Sequence, residues 1–529
     1  MASLDQARGE QVLRALGEQL DAANEQFELV VIGGSGLLAL GLIERATRDV
    51  DIVALLREGE LVDPRPLPPA LVEARDRVGR DFGLASDWLN AAPSSLLDFG
   101  LPAGFASRLE RRDYGPALTV WLASRLDQIH LKLYALADQG PGKHEADLRA
   151  LEPTRDELIE ARVGRSRTTH RRVSEPSYSV RLRTSVSRMQ ISTLRDNLSD
   201  RLAAFAWDEW AQMGVLVTPH RESPWAADPE ALLLFTLEIG RSDPRLFDEV
   251  LDWLARNATL VSVQRFRNHY SDPIDERLGE AALAWISNHG ASIRVQPRQV
   301  KKTEAHTGLF YRGRKPSAPD PSFLAYGFLK ARTKRSEKSQ PPDTTKPINF
   351  AFRLRNGFGV GSRAEIMRFL LTASARSPLG SRPLFTTLAI AEAAGYAKRN
   401  VHEALNALVA AGWIELVIRG NERVYGVERE RWHNGLWIEA RDYPSYRDWT
   451  RALQGVTELH RWLHNPATAT LTPYMRASEA RRLMAQLESS FAYAGIPLSQ
   501  RQAEGTAYWD VFVDAVEEIL SALESGLPQ

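Results

Sequence analysis

The stretch "VVIGGSGLLALGLIERATRDVDIV", Val30 to Val53, decides how the N-terminal part of the chain folds. An apolar run up to Ile32 breaks at Gly33-Gly34, residues 36–46 then follow a helical period, and residues 50–56 form a second apolar run. That is strand, turn, helix, strand. Working outward, residues 4–23 have the period of an amphipathic helix and residues 27–32 are the first strand. Residues 67–80 and 124–140 predict further helices, residues 86–89 and 118–122 short strands, and "HEADLRAL" at 144–151 opens another helix. Residues 1–161 therefore predict one α/β domain.

With 529 residues the chain is too long for a single core. Its 67 basic and 67 acidic residues cancel, but they are segregated. The first domain is acidic, while residues 162–188 and 330–346 are basic and rich in Ser or Pro. Such blocks read first as solvated linkers and second as nucleic-acid contacts. The absence of cysteine excludes disulfides, cysteine–zinc sites and cysteine nucleophiles, and agrees with a cytoplasmic protein. The N-terminus lacks the apolar core of a signal peptide, and no stretch approaches about 18 uncharged apolar residues, so no membrane partner is expected. A metal would be held by oxygen ligands or by a few of the 11 histidines, which points to Mg2+ or Mn2+ rather than zinc.

Beyond the first domain, residues 162–188 read as a basic Ser/Arg-rich linker and 189–295 as a helical domain, with Asp228-Pro229 and Asp243-Pro244 as helix entries. Residues 296–349 read as a Pro/Lys-rich linker, partly ordered around an apolar island at 323–329. Residues 350–430 form a compact unit, and 431–529 predict a C-terminal helical domain.

The opening stretch admits two chemistries. As a dinucleotide fingerprint, its glycines would let backbone approach a pyrophosphate, and Glu58 at the end of the second strand would take the ribose. The regular strand–helix alternation of a doubly wound sheet does not follow. As a nucleotidyl-transfer site, Asp49 and Asp51 at i and i+2 of a strand face the same way and share divalent metal. The turn Gly33-Gly34-Ser35 would present N–H groups and a hydroxyl to the phosphates.

On these residues the segment resembles the minimal nucleotidyltransferases of the polymerase-β superfamily, especially the AbiEii-like toxin branch. The matching residues are Gly34, Ser35, Arg45, Thr47, Asp49 and Asp51. "DQIHLKLYALADQGPGKHEADLRAL" supplies Lys132, Lys143 and Asp147 for the family's downstream Lys and Lys-x-x-x-Asp-Leu pattern. The resemblance implies that Lys132 touches the triphosphate and that Asp147 completes the site. It leaves the third carboxylate open between Asp98 and Asp127, and Asp127 is equally a helix-opening acid. The family continues past "PTRDELIEA" into apolar helices, whereas this chain runs into residues 162–188.

Residues 384–427 resemble a winged helix-turn-helix. Residues 390–394 and 398–410 are its two helices around Gly395-Tyr396, with Val401, Leu405 and Leu408 facing the core. Residues 413–417 and 423–427 are strands, and Arg419-Gly420-Asn421 is the wing tip. The resemblance implies DNA contacts from Lys398, Arg399, Asn400 and His402, and phosphate contacts from Arg419 and Arg423. A winged helix used for protein contact alone is the other reading. Residues 190–430 more loosely resemble the regulator or antitoxin encoded beside such transferases.

The expectation is an α/β nucleotidyltransferase domain followed by mainly α-helical domains that include a winged helix-turn-helix. Its partners would be an NTP, an acceptor hydroxyl on tRNA or protein, DNA, an intramolecular toxin–antitoxin contact and a second copy in a homodimer. The alternatives are a DNA-binding repressor with an inactive transferase remnant, and an antibiotic-modifying nucleotidyltransferase.

Overall fold

The mainly apolar residues Val50–Arg57 form β2, an interior strand of a six-stranded mixed sheet. β1 (Phe27–Ile32) pairs antiparallel with β2 and parallel with β6 (Leu118–Leu122). β3 (Glu60–Val62) extends one edge, β5 (Glu110–Asp113) the other, and β4 (Leu89–Asn90) pairs in parallel with the start of β2. The computed structural model describes residues 3–43, 46–139, 143–154, 157–158, 190–291, 293, 306–313, 315–373, 383–436, 438, 443–499 and 501–525. Arg45 and the basic segment 162–188 lie outside the described residues, as do residues 294–305.

The chain groups into two units. One comprises residues 1–188 with 471–482 and 501–511, and the other the remainder. In the first, α/β unit, the two faces of the sheet are covered differently. Helices α1 (Gln6–Ala22) and α3 (Pro69–Asp81) pack Val12, Leu16, Leu20, Leu71 and Val78 on Leu29, Val31, Val50 and Ile52. The other face buries Val30, Ile32, Val53 and Ala54 with Phe105, Ala123 and Leu131. The short helix α2 (Gly33–Ala39) follows β1 directly. The sequence predicts a helix over 36–46, but α2 starts three residues earlier and ends at Ala39, and Leu37 and Leu38 pack with Ile129 of α4 (Arg125–Gln139) and Leu148 of α5 (Lys143–Ala150). The antiparallel β1–β2 pair removes the dinucleotide reading, which needs a parallel crossover. Glu58 is a positive-φ residue in the tight Glu58-Gly59 turn that joins β2 to β3.

The second unit is mostly helical, and its sequence-predicted boundaries change most. Residues 306–349 are not a solvated linker: Leu309, Phe323, Phe328 and Ile348 are buried. Their basic side chains neutralise an acidic helix, Pro244–Asn257, with Lys330 on Asp248 at 2.7 Å and Arg335 on Asp252 at 3.0 Å. Residues 431–529 are divided as well, since 471–482 and 501–511 group with the α/β unit.

Three helices, Ser362–Ala373, Thr387–Ala394 and Lys398–Ala410, and an antiparallel sheet of Phe385–Thr386, Glu415–Arg419 and Glu422–Gly426 stack on one core. Beneath them lies a buried network of charges. Asp228 and Glu230 grip Arg265 (Nη1–Oε2 2.7 Å for Glu230), Arg355 bridges Glu230 and Glu365, and Arg368 bridges Glu365 and Asp228. Arg265 Nε also donates to the carbonyl of Ala394 at 2.7 Å, closing the C-terminal end of Thr387–Ala394. Three carboxylates meet three guanidiniums, so the cluster is neutral and each oxygen has a donor nearby. Burial raises the Glu365 carboxyl, but Arg355, Arg368 and Arg265 outweigh it and hold it at about 2. Burial and then Arg265 lower His269 to about 4.

Both shifts act in one direction. The unfolded chain takes up protons at His269 below pH 6.5 and at Glu365 below 4.5, before the folded chain does. The contribution of these two groups to stability is thus fully present at neutral pH, falls between 6.5 and 4 through His269, and falls further toward 2 through Glu365. In urea unfolding of the helical unit, followed by tryptophan fluorescence at stepped pH, His269→Leu is expected to change less than wild type between pH 6.5 and 4, the difference being on the order of 3 kcal/mol.

Candidate functional site

β1 and β2 are in a register that sets Ile32 opposite Asp51. Val50 and Ile52 enter the core under α1 and α3, so Asp51 lies on the opposite face of the sheet, where the chain leaves β1. Gly33 turns there with φ +78°, and a Cβ on it would stand 2.7 Å from Asp51 Oδ2. The glycine is needed twice, for its backbone conformation and for the space its missing side chain leaves to the carboxylate. Asp51 Oδ1 accepts from Asn90 Nδ2 at 3.3 Å across the parallel β2–β4 pair.

Asp49 stands just before β2 rather than within it and is half-buried. Thr47 Oγ1 donates to its carbonyl and lies 3.3 Å from its Oδ1. Thr47 itself is pinned by reciprocal backbone bonds to Leu4. Its hydroxyl is therefore a support for Asp49.

The other sequence-predicted residues spread over two surroundings. Gly33 N–H donates to Gln128 Oε1 at 3.2 Å, and Gly36 passes so close to Gln128 that a Cβ would meet its Nε2 at 2.8 Å. Gly34 is buried at the start of α2. Among the described residues, Ser35 Oγ is buried without a hydrogen-bond partner, and Ser35 lines a cavity of about 30 Å³ with Leu4, Leu13, Val31, Thr47 and Val50, under α1. Gln128 Nε2 is likewise buried without a partner.

Lys132 lies one turn beyond Gln128 on α4 and is buried, its Nζ 2.6 Å from Asp147 Oδ2. The structure thus brings Lys132 and Asp147 together as a buried ion pair. Of the two candidate third carboxylates, Asp127 is buried against Arg108 and exchanges bonds with Ser124 at the start of α4, a helix-capping arrangement. Asp98 is on the short helix Leu96–Phe99. Among the described residues, no group of three or more His, Cys, Asp or Glu is placed to hold a metal ion.

Gln128 and Asn90 were missed in the sequence. Gln128 carries a signal: it is a polar residue on the apolar stripe of a helix, four residues from Lys132. Asn90 carries none, because only the β2–β4 register brings it to Asp51.

In the second unit, Lys398, Arg399 and Asn400 are exposed at the start of Lys398–Ala410, and His402 is half-buried. Val401, Leu405 and Leu408 are buried on the opposite side. Arg399 Nε meets Glu403 at 3.2 Å on the surface, which offsets part of its charge. Arg419 and Arg423 are exposed on the hairpin Glu415–Gly426, which turns through Gly420 at φ +60°.

Replacing Gly33 by alanine forces a side chain into left-handed backbone and against Asp51. Gly33→Ala is expected to cost about 1–3 kcal/mol in thermal unfolding, whereas Gly59→Ala, in the open β2–β3 turn, tests the backbone effect without the carboxylate contact.

Residues 11–142 match a family described as nucleotidyltransferase of unknown function (DUF6036). No curated protein and no solved structure matches the chain. No helix among the described residues is long and apolar enough to cross a membrane. A nucleotidyltransferase-like domain therefore lies in the first unit, and its matched segment takes in the glycine turn, Asp49, Asp51, Gln128 and Lys132.

Proposed function

We propose that the α/β unit transfers a nucleoside monophosphate from an NTP to an acceptor hydroxyl, with Mg2+, and that it is joined to a winged-helix antitoxin or regulator. The observation that carries this reading is the Asp51 carboxylate lodged over Gly33, with Asp49 two residues ahead. A pair of hard carboxylate donors beside a glycine turn suits magnesium, which is commonly bound by one or two carboxylates together with substrate phosphates. Asp49 and Asp51 would hold it, and when bound it neutralises charge on the triphosphate. Asn90 and Thr47 orient the two carboxylates. Gln128 occupies the Gly33 N–H, which leaves Gly34 and Ser35 as the backbone donors for phosphate. By the AbiEii-like resemblance, the acceptor is a tRNA 3′ end or a protein hydroxyl.

The exposed Lys398, Arg399, Asn400, Arg419 and Arg423, with His402 beside them, support the winged-helix reading, in which the first turn of Lys398–Ala410 enters the major groove. A second reading, a repressor whose transferase is inactive, is favoured by specific observations. Lys132 is tied to Asp147, and the Ser35 hydroxyl faces a cavity under α1.

Transfer of label from α-labelled NTP to total RNA, or to the chain itself, tests the first reading. Wild type is expected to label, and Asp49→Ala and Asp51→Ala each to lose the signal to background; equal labelling by all three removes the metal assignment. For the second unit, a mobility shift on double-stranded DNA is expected to weaken steeply with salt. Lys398→Ala with Arg419→Ala should reduce the salt slope by about 2. DNA binding without any magnesium-dependent NTP binding would establish the repressor reading.

A further inference from the structure

The α1–α3 face of the α/β unit is covered by residues from the far end of the chain. Tyr474 and Met475 are each 6% exposed and belong to the same core as Leu13, Leu16, Leu20, Val78 and Phe82. The Tyr474 ring lies 5.9 Å from that of Phe82. Its hydroxyl donates to Asp81 Oδ2 at 2.9 Å and accepts from Gln19 Nε2, which also donates to Ser478 Oγ at 3.0 Å. Arg481 reaches Asp81 at 3.3 Å. Tyr474, Ser478 and Arg481 are at i, i+4 and i+7 of one helix, so they form a single stripe. A second segment adds Glu504 on Arg8 at 2.6 Å and Gly505 against Phe82, where a Cβ would meet the ring at 3.1 Å.

The polar groups make this face specific. Gln19 and Asp81 are 3% and 4% exposed, and with nothing covering them they would be hydrated surface groups on α1 and α3. Buried, they need hydroxyl and guanidinium partners, and a purely apolar helix would leave them unsatisfied. We infer that the α1–α3 face is a receptor for an amphipathic helix bearing a Tyr/Ser/Arg stripe. Its occupant is residues 471–482, backed by 501–511, so the nucleotidyltransferase-like domain is completed by the C-terminal end of its own chain. Tyr474 and Met475 share the core of Val50 and Ile52, whereas Asp51 lies on the other face of the sheet. The segment closes the domain without covering the carboxylates. This inference stands whether or not the domain transfers nucleotides.

The test uses the full chain with a protease site introduced in residues 162–188. After cleavage, the N-terminal piece of the wild type is expected to stay with the rest on size exclusion and to resist limited proteolysis. Tyr474→Asp with Met475→Asp is expected to release it or leave it digested. Release of a folded, protease-resistant N-terminal piece from the wild type would overturn the inference, and so would retention in the doubly charged variant. Should that variant not fold, hydrogen exchange on uncleaved Tyr474→Phe decides. Amides of α1 and α3 are expected to exchange about five- to tenfold faster, from lost hydrogen bonds, with those of Lys398–Ala410 unchanged. No change in α1 and α3 would equally overturn it.

Discussion

The antiparallel register of β1 with β2 is the constraint on which the candidate site depends. It places Ile32 across from Asp51 and thereby brings the carboxylate onto Gly33, the residue that follows β1. Glycine is favoured there, since the φ is +78° and a Cβ would sit 2.7 Å from an Asp51 oxygen and force it to shift. The same register directs Val50 and Ile52 into the core under α1 and α3. A slip of one residue would put those two apolar side chains at the turn and the aspartate in the core. The apolar pattern of β2 and the position of its acid are thus one property.

A different constraint governs the helical unit. Asp228, Glu230, Arg265, Arg355, Glu365 and Arg368 come from four separate segments, and all are almost completely buried. Each ion would be costly alone, and removing one partner of such a set typically costs about 3–5 kcal/mol. The network ties the Asp228 helix entry to the Ser362–Ala373 and Thr387–Ala394 helices, the latter through the Ala394 carbonyl. The exposed basic start of Lys398–Ala410 follows directly after that carbonyl. The helix that precedes the candidate DNA-contacting residues is in this way held by ion pairs distant in sequence.

Lys132 and Asp147 show how a family pattern and a structure complement one another. The resemblance singled out both residues, and the fold brings them together at 2.6 Å. The resemblance carries no statement that they meet each other. The basic side chains of 330–346 illustrate the opposite limit, because composition alone made them a solvated linker. Lys330 and Arg335 instead pair with Asp248 and Asp252 of a helix some 80 residues earlier. A charge run looks the same in sequence whether its counter-ions are water or a distant helix.

Local period and turn chemistry were sufficient for most elements: β1, β2, β6, the α4 helix and the Lys398–Ala410 helix fall within a residue or so of where apolar spacing sets them. The place of the glycines after β1 and of Asp51 on β2 follows from local residues in the same way, whereas Gly33–Ser35 turn out to be the first turn of α2 and Asp49 stands just before the strand. Asn90 beside Asp51, Gln128 on the Gly33 N–H, the buried network and the return of 471–482 to α1 and α3 were decided only in three dimensions. Each depends on which distant segment arrives, and that choice is made by burial and by pairing of polar groups summed over the whole unit. No window of the sequence contains that sum.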